Sequence, residues 1–274
     1  MILTIKQFPD KKFTDKMDQT RFIKENIKEF LAVKKAEYKT KSEVTLKSGL
    51  LSNDFQPVIE NITSDIIEVK TIINTTNVID SHMDLHLRGI WNKTVKDNPY
   101  SYHLKQHENR FESLISSRAK SFNETMKFSE IGVNSDMLMD ANINLLLIDK
   151  NKQALMFDKY IDGVVTQHSI GMMYVDLDIA YYDEDSTKEM NFFNESIAQA
   201  INPEVAEENG YVWVVREAKK REGSAVVFGS NPLTPTLYVK NYEPQTSTYK
   251  NKNEPLNSTR QVTKELTNLL TTYL

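Results

Sequence analysis

The stretch ALMFDKYIDGVVTQHSIGMMYV, residues 154–175, decides how the chain is read. Ala154, Leu155, Phe157 and Ile161 supply the apolar contacts of a helix over Asn151 to Ile161. Gly163 stands where a helix C-cap glycine belongs, because glycine enters the left-handed region without a Cβ penalty. The chain then becomes an apolar, β-prone run at Ile170–Val175, with Ser169 at the junction. A serine there can present its hydroxyl from a rigid element, and Gly171 lets backbone approach closely.

Outward from this point, Ile66–Ile73, Ser113–Phe122, Ile143–Ile148, Tyr211–Val215, Ser224–Phe228 and Leu237–Val239 also read as strands. Their Val, Ile, Tyr and Phe residues suit a pleated, half-buried surface. The expected fold is α+β, mostly strands with a few packed helices, as a barrel or sandwich. Three zones follow: a helical N-terminal extension over residues 1–64, a main domain over 65–240, and a polar linker with an amphipathic helix over 241–274.

In the first zone Ile23, Ile27, Phe30 and Leu31 form a helical stripe that Thr14 or Asp15 can cap. In the last, Val262, Leu266, Leu269, Leu270 and Tyr273 form another, and Ser258 and Gln261 have capping-box spacing. Between them, Asp176 to Glu208 carries many acidic residues against the single Lys188, and reads as a solvated excursion between strands.

The bulk numbers are those of an ordinary globular chain: 274 residues, 39% hydrophobic and 26% charged. No run suits a membrane span, and Met1 to Lys12 lacks the features of a signal peptide. A net charge of −4 gives no reason to expect a nucleic-acid partner. The chain has no cysteine, which excludes disulfides, thiolate catalysis and cysteine zinc sites, and fits a reducing compartment.

Acyl chemistry without cysteine must use Ser, Thr or Lys, and a serine hydroxyl needs a base. All five histidines lie between His82 and His168. His82 with His86, and His103 with His107, have the i, i+4 spacing of zinc ligands, so a metal-dependent hydrolase using these four is an alternative. Leu104 follows His103 where the zinc-protease signature has Glu. Taken singly, Ser169 reads as a turn residue before a strand, His107 as a loop histidine beside Glu108 and Arg110, and Glu222 as a surface carboxylate near Arg221 or Lys219.

Four segments in order change that weight. They are Asn77-Val-Ile-Asp-Ser-His-Met-Asp84 with Gly89-Ile-Trp91; Leu104-Lys-Gln-His107-Glu; Ala154 to Gly163 with His168-Ser169-Ile-Gly-Met-Met-Tyr174; and Arg221-Glu222-Gly-Ser224-Ala-Val-Val-Phe-Gly-Ser-Asn231-Pro232. Together they resemble tailed-phage prohead proteases, serine proteases of capsid maturation related to the herpesvirus assemblins. The resemblance spans about Ile66 to Leu237. The departures are Ser116 and Gly223, Phe228-Gly229-Ser230 near Glu222, and Met172 in place of an aromatic.

The resemblance implies an assemblin-like, mostly antiparallel β-barrel core with packed helices. It implies Ser169 as nucleophile, His107 as base and Glu222 as the group orienting it, with His168 as an alternative third member. No cofactor is implied. The substrates would be scaffold and capsid-protein extensions, cut within a procapsid in the host cytoplasm, and self-processing at the 240–257 tether would be compatible. A catalytically inactive virion protein on the same fold is the other alternative, and a homo-oligomer is compatible with either.

Overall fold

The structure, a computed structural model, describes residues 3–36 and 55–243. The expected C-terminal helix and all but the first residues of the linker lie outside the described residues. A hairpin of β1 (Leu3–Ile5) and β2 (Phe8–Phe13) leads into α1 (Lys16–Ala36). Next come β3 (Val58–Ile59), β4 (Ile66–Thr75), β5 (Asp84–His86), α2 (Asn92–Asp97), β6 (Tyr100–Lys105), β7 (Leu114–Lys127) and β8 (Leu138–Asp149). The chain continues through α3 (Lys150–Ile161), β9 (Gln167–Tyr181), α4 (Thr187–Ile197), α5 (Glu204–Asn209), β10 (Tyr211–Val226) and β11 (Thr236–Asn241).

Nine strands form one mixed sheet in the order β3-β11-β4-β8-β7-β6-β10-β5, with β9 paired to β10 outside this path. Residues 222–225 of β10 pair with β6 in parallel and with β9 in antiparallel, so these neighbours occupy its opposite edges. β5 pairs in parallel with residues 213–215 of β10. Residues 211–215 and 224–226, read from sequence as separate strands, thus belong to one.

The expected closed barrel is not formed. Between β9 and the start of β11 there is no ladder among the described residues but an isolated bridge, Gln167 with Pro235, flanked by His168 N–H donating to Thr234 O at 3.1 Å and Thr236 N–H donating to Thr166 O at 3.4 Å. Pro235 has no N–H to continue a ladder, so the seam stays irregular. The architecture is a large mixed sheet with few helices: β10 pairs in parallel with β5 and β6, and β11 with β3, while the other pairings are antiparallel.

The acidic excursion also differs from expectation. It continues β9 and then folds into α4 and α5, whose Phe193, Ile197 and Ala206 are buried in the same core as Trp213. Phe193 and Ile197 stand one helical turn apart, so a charged exterior coexists with an apolar inner stripe. Ser186 caps α4 by accepting from Glu189 N–H at 3.4 Å.

The N-terminal stripe is realised in α1, capped by Asp15, whose Oδ1 accepts from Asp18 N–H at 2.8 Å. Ile23 and Phe30 are buried, and the Phe30 ring lies 6.4 Å from that of Trp213. The last turn inserts Lys34, whose Nζ lies 2.7 Å from Asp84 Oδ1, both side chains fully buried. The ammonium also faces the Tyr174 and Trp213 rings at 5.1 and 5.5 Å. No helix among the described residues is long and apolar enough to cross a membrane.

Removing one partner of a buried ion pair strands the other's charge in low dielectric. Lys34→Ala should therefore cost about 3–5 kcal/mol of stability, read as a lowered denaturant midpoint.

Candidate active site

In the β9–β10 ladder Ser224 lies opposite Ser169, and Glu222 opposite Gly171. In the β6–β10 ladder Ser224 pairs with Leu104 and Glu222 with Tyr102. Side chains alternate along a strand, so Glu222, Ser224, Ser169, Tyr102 and Leu104 share one face. Directly opposed residues hold their Cβ atoms about 4.5–5.5 Å apart, which puts Ser169 beside Ser224.

His107 reaches this face by a backbone device. β6 ends at Lys105, and both Gln106 (φ 53°) and His107 (φ 58°) take the left-handed conformation. Each such non-glycine residue costs about 1–2 kcal/mol. Three hydrogen bonds hold the turn: Gln106 N–H to Ala225 O (2.9 Å), His107 N–H to Ser224 Oγ (3.2 Å) and Glu108 N–H to Lys105 O (3.0 Å). The chain folds back over β10 and sets His107 Nδ1 2.6 Å from Glu222 Oε1. The two side chains are only 8% and 4% exposed. The other carboxylate oxygen, Oε2, accepts from Ser224 Oγ at 2.6 Å.

A carboxylate can only accept, so Nδ1 carries the proton and Nε2 is left as the basic nitrogen. The structure therefore brings His107 and Glu222 into direct contact and sets Ser169 one strand away on the same face. Among the described residues no hydrogen bond joins the His107 ring to Ser169. Such catalytic contacts commonly tighten only with substrate bound.

His168 does not join this group. Paired with Ala225, it points to the opposite, interior face, as its adjacency to Ser169 requires. There its Nδ1 meets Thr234 O and its Nε2 meets Tyr160 Oη, each at 3.2 Å, and its ring stacks on Tyr160. Burial holds its pKa down to about 4. His103 lies 5.6 Å away, ring to ring, with its Nδ1 3.1 Å from Asn144 Nδ2, and burial above all, then the neighbouring His168, holds its pKa well below the usual imidazole range. Gly223 faces the same interior, where a Cβ would come within 2.6 Å of Asn144 Nδ2 and 3.1 Å of His103 Nδ1. That crowding leaves no room for a side chain at this position.

The four-histidine metal group does not assemble among the described residues. His86 stands with Asp80 and Asp84, a set whose ligand atoms lie within 4.8 Å of one another. Lys34 supplies a positive charge to that set through Asp84.

The sequence reading missed two contributors. Ser224 was visible within the Glu-Gly-Ser segment, but nothing in sequence said what its hydroxyl touches. Lys220 had no signal at all. Between its pairings with β5 and β6, one edge of β10 carries no strand, and Lys220 N–H there donates to Thr94 Oγ1 of α2 at 3.1 Å. Its Nζ is buried without a hydrogen-bond partner among the described residues, and burial lowers its pKa to about 8. It lines a cleft of about 1020 Å³ that also includes Tyr100, Tyr102, Leu104, Phe111 and Glu222.

His168 gives a pH prediction. Its folded pKa is depressed to about 4 against an unfolded value near 6.5, so below about pH 6.5 the unfolded state binds the extra proton. Its contribution is complete above that pH and is lost as pH falls towards 4, by about 3 kcal/mol. Denaturant midpoints measured from pH 7 to 4 should fall, and His168→Gln should flatten the slope. Comparison with known protein families, curated proteins and solved structures finds no match to this chain.

Proposed function

We propose that the chain is a serine endopeptidase of the prohead type, acting on scaffold and capsid-protein extensions. The observation that carries this reading is the 2.6 Å contact between His107 Nδ1 and Glu222 Oε1, on the face that bears Ser169. Ser169 near the start of β9, Glu222 within β10 and His107 in the loop after β6 are the residues to which the resemblance gives these roles.

In this mechanism Nε2 of His107 takes the Ser169 proton as Oγ attacks the scissile carbonyl. The proton is then delivered to the departing amine, and water repeats the sequence on the acyl-enzyme. Glu222 fixes the tautomer and offsets the charge of the imidazolium that forms. Near-burial strengthens that interaction by keeping the local dielectric low. The cleft beside Glu222 suits an extended peptide: Tyr102 and Phe111, which line it, are 57% and 93% exposed, large apolar surfaces left bare.

A fluorophosphonate probe tests the nucleophile. The full chain should be labelled, Ser169→Ala should not be, and His107→Ala should be labelled at least about a thousandfold more slowly. Well-folded wild type that stays unlabelled and leaves co-expressed scaffold intact would instead indicate a non-enzymatic virion component. For the cleft, Tyr102→Ala should raise KM for a scaffold-derived peptide about tenfold with kcat little changed, since it removes binding shared by ground and transition states.

A further inference from the structure

Ser224 is fully buried between the two groups that orient each other. Its Oγ donates to Glu222 Oε2 at 2.6 Å and accepts His107 N–H at 3.2 Å. With His107 Nδ1 donating to Glu222 Oε1 at 2.6 Å, the contacts close a loop: backbone of the histidine, serine hydroxyl, carboxylate, ring of the same histidine. A glutamate has three side-chain torsions and can offer either oxygen. Occupying Oε2 from one side leaves Oε1 as the oxygen that meets the ring. The same hydroxyl anchors a main chain that must hold φ 58° at His107.

Ser224 is not itself placed to attack a substrate. It has no exposed surface, its proton is committed to a carboxylate, and its contact with His107 is to the backbone rather than to a ring nitrogen. Ser169, across the ladder, is the partly exposed hydroxyl.

We infer that Ser224 is a positioning residue that locks the Glu222 carboxylate and the His107 main chain into one unit. This rests on the acyl-transfer reading, and its effect passes through the Glu222 carboxylate and the His107 main chain rather than through substrate. Substituting Ser224 should therefore slow acylation most while the histidine–carboxylate pair is intact.

The test uses full-length wild type, Ser224→Ala, Glu222→Ala and the double variant. The readouts are the rate of fluorophosphonate labelling, kcat and KM on a scaffold peptide, and nitrogen-edited NMR of the protected Nδ1 proton of His107. Ser224→Ala should lower labelling rate and kcat about tenfold with KM unchanged, and should broaden or abolish the Nδ1 proton signal. In the Glu222→Ala background the loss should be clearly smaller than in wild type, since only the main-chain anchor at His107 is left to remove. A wild-type labelling rate in Ser224→Ala, or losses that multiply in the double variant, overturns the inference. Should Ser224→Ala not fold, Ser224→Cys replaces it, keeping similar volume with a much weaker donor. If Ser169→Ala and wild type prove equally unreactive, acyl transfer is excluded. The NMR comparison then still decides the positioning role: an unchanged Nδ1 signal in Ser224→Ala overturns it, and a lost one supports it.

Discussion

One strand constrains this protein more than any other element. β10 gives both of its edges to hydrogen bonding at residues 222–225, to β6 on one side and β9 on the other. A backbone bonded on both edges cannot shift without breaking two ladders. Register on a strand is all or nothing, because a slip of one residue would turn Glu222 and Ser224 inward and Gly223 outward. The geometry of the candidate site is therefore a property of the sheet rather than of a loop. Only His107 arrives by a loop, and that loop is pinned to β10 by Gln106 and by its own N–H.

The two faces of the same strands have opposite chemistry. Inward, His103, His168, Tyr160 and Asn144 form a polar island kept neutral by desolvation. Outward, an imidazole and a carboxylate meet at the edge of a wide cleft. His168 and Ser169 are neighbours in the chain, yet they serve different environments because a strand reverses its side chains at every step. Lys34 and Asp84 place a third polar group in the interior, tying α1 to the short strand β5.

Strand positions were legible where β-branched and aromatic residues cluster, as at Ile66–Ile73 and Tyr211–Val215, and so was α3 with its Gly163. The sheet's failure to close was not, because it depends on which strands meet Pro235 in space. Nor was the packing of Asp176–Glu208, where charge count hid Phe193 and Ile197 on an inner stripe. β6 and the β1–β2 hairpin carry too little apolar alternation to mark them as strands, since Tyr-Ser-Tyr-His and Pro-Asp-Lys-Lys are mostly polar. His107, Ser169 and Glu222 came from ordered resemblance. The contact of His107 with Glu222 is a fact of folding, since they lie 115 residues apart in the chain. Ser224 illustrates the limit: a hydroxyl's role is set by what surrounds it, and a string of letters carries no surroundings.

That long separation has a consequence for timing. Non-local pairing of this kind is slow to form and must wait for its last partner. During synthesis, at about 5–20 residues per second, a nascent chain has exposed its imidazole and its serine well before the carboxylate emerges. Until β10 inserts between its two neighbours, Glu222 is not in place to set the tautomer of the His107 ring. A chain that ends before β10 therefore cannot form the His107–Glu222 contact at all.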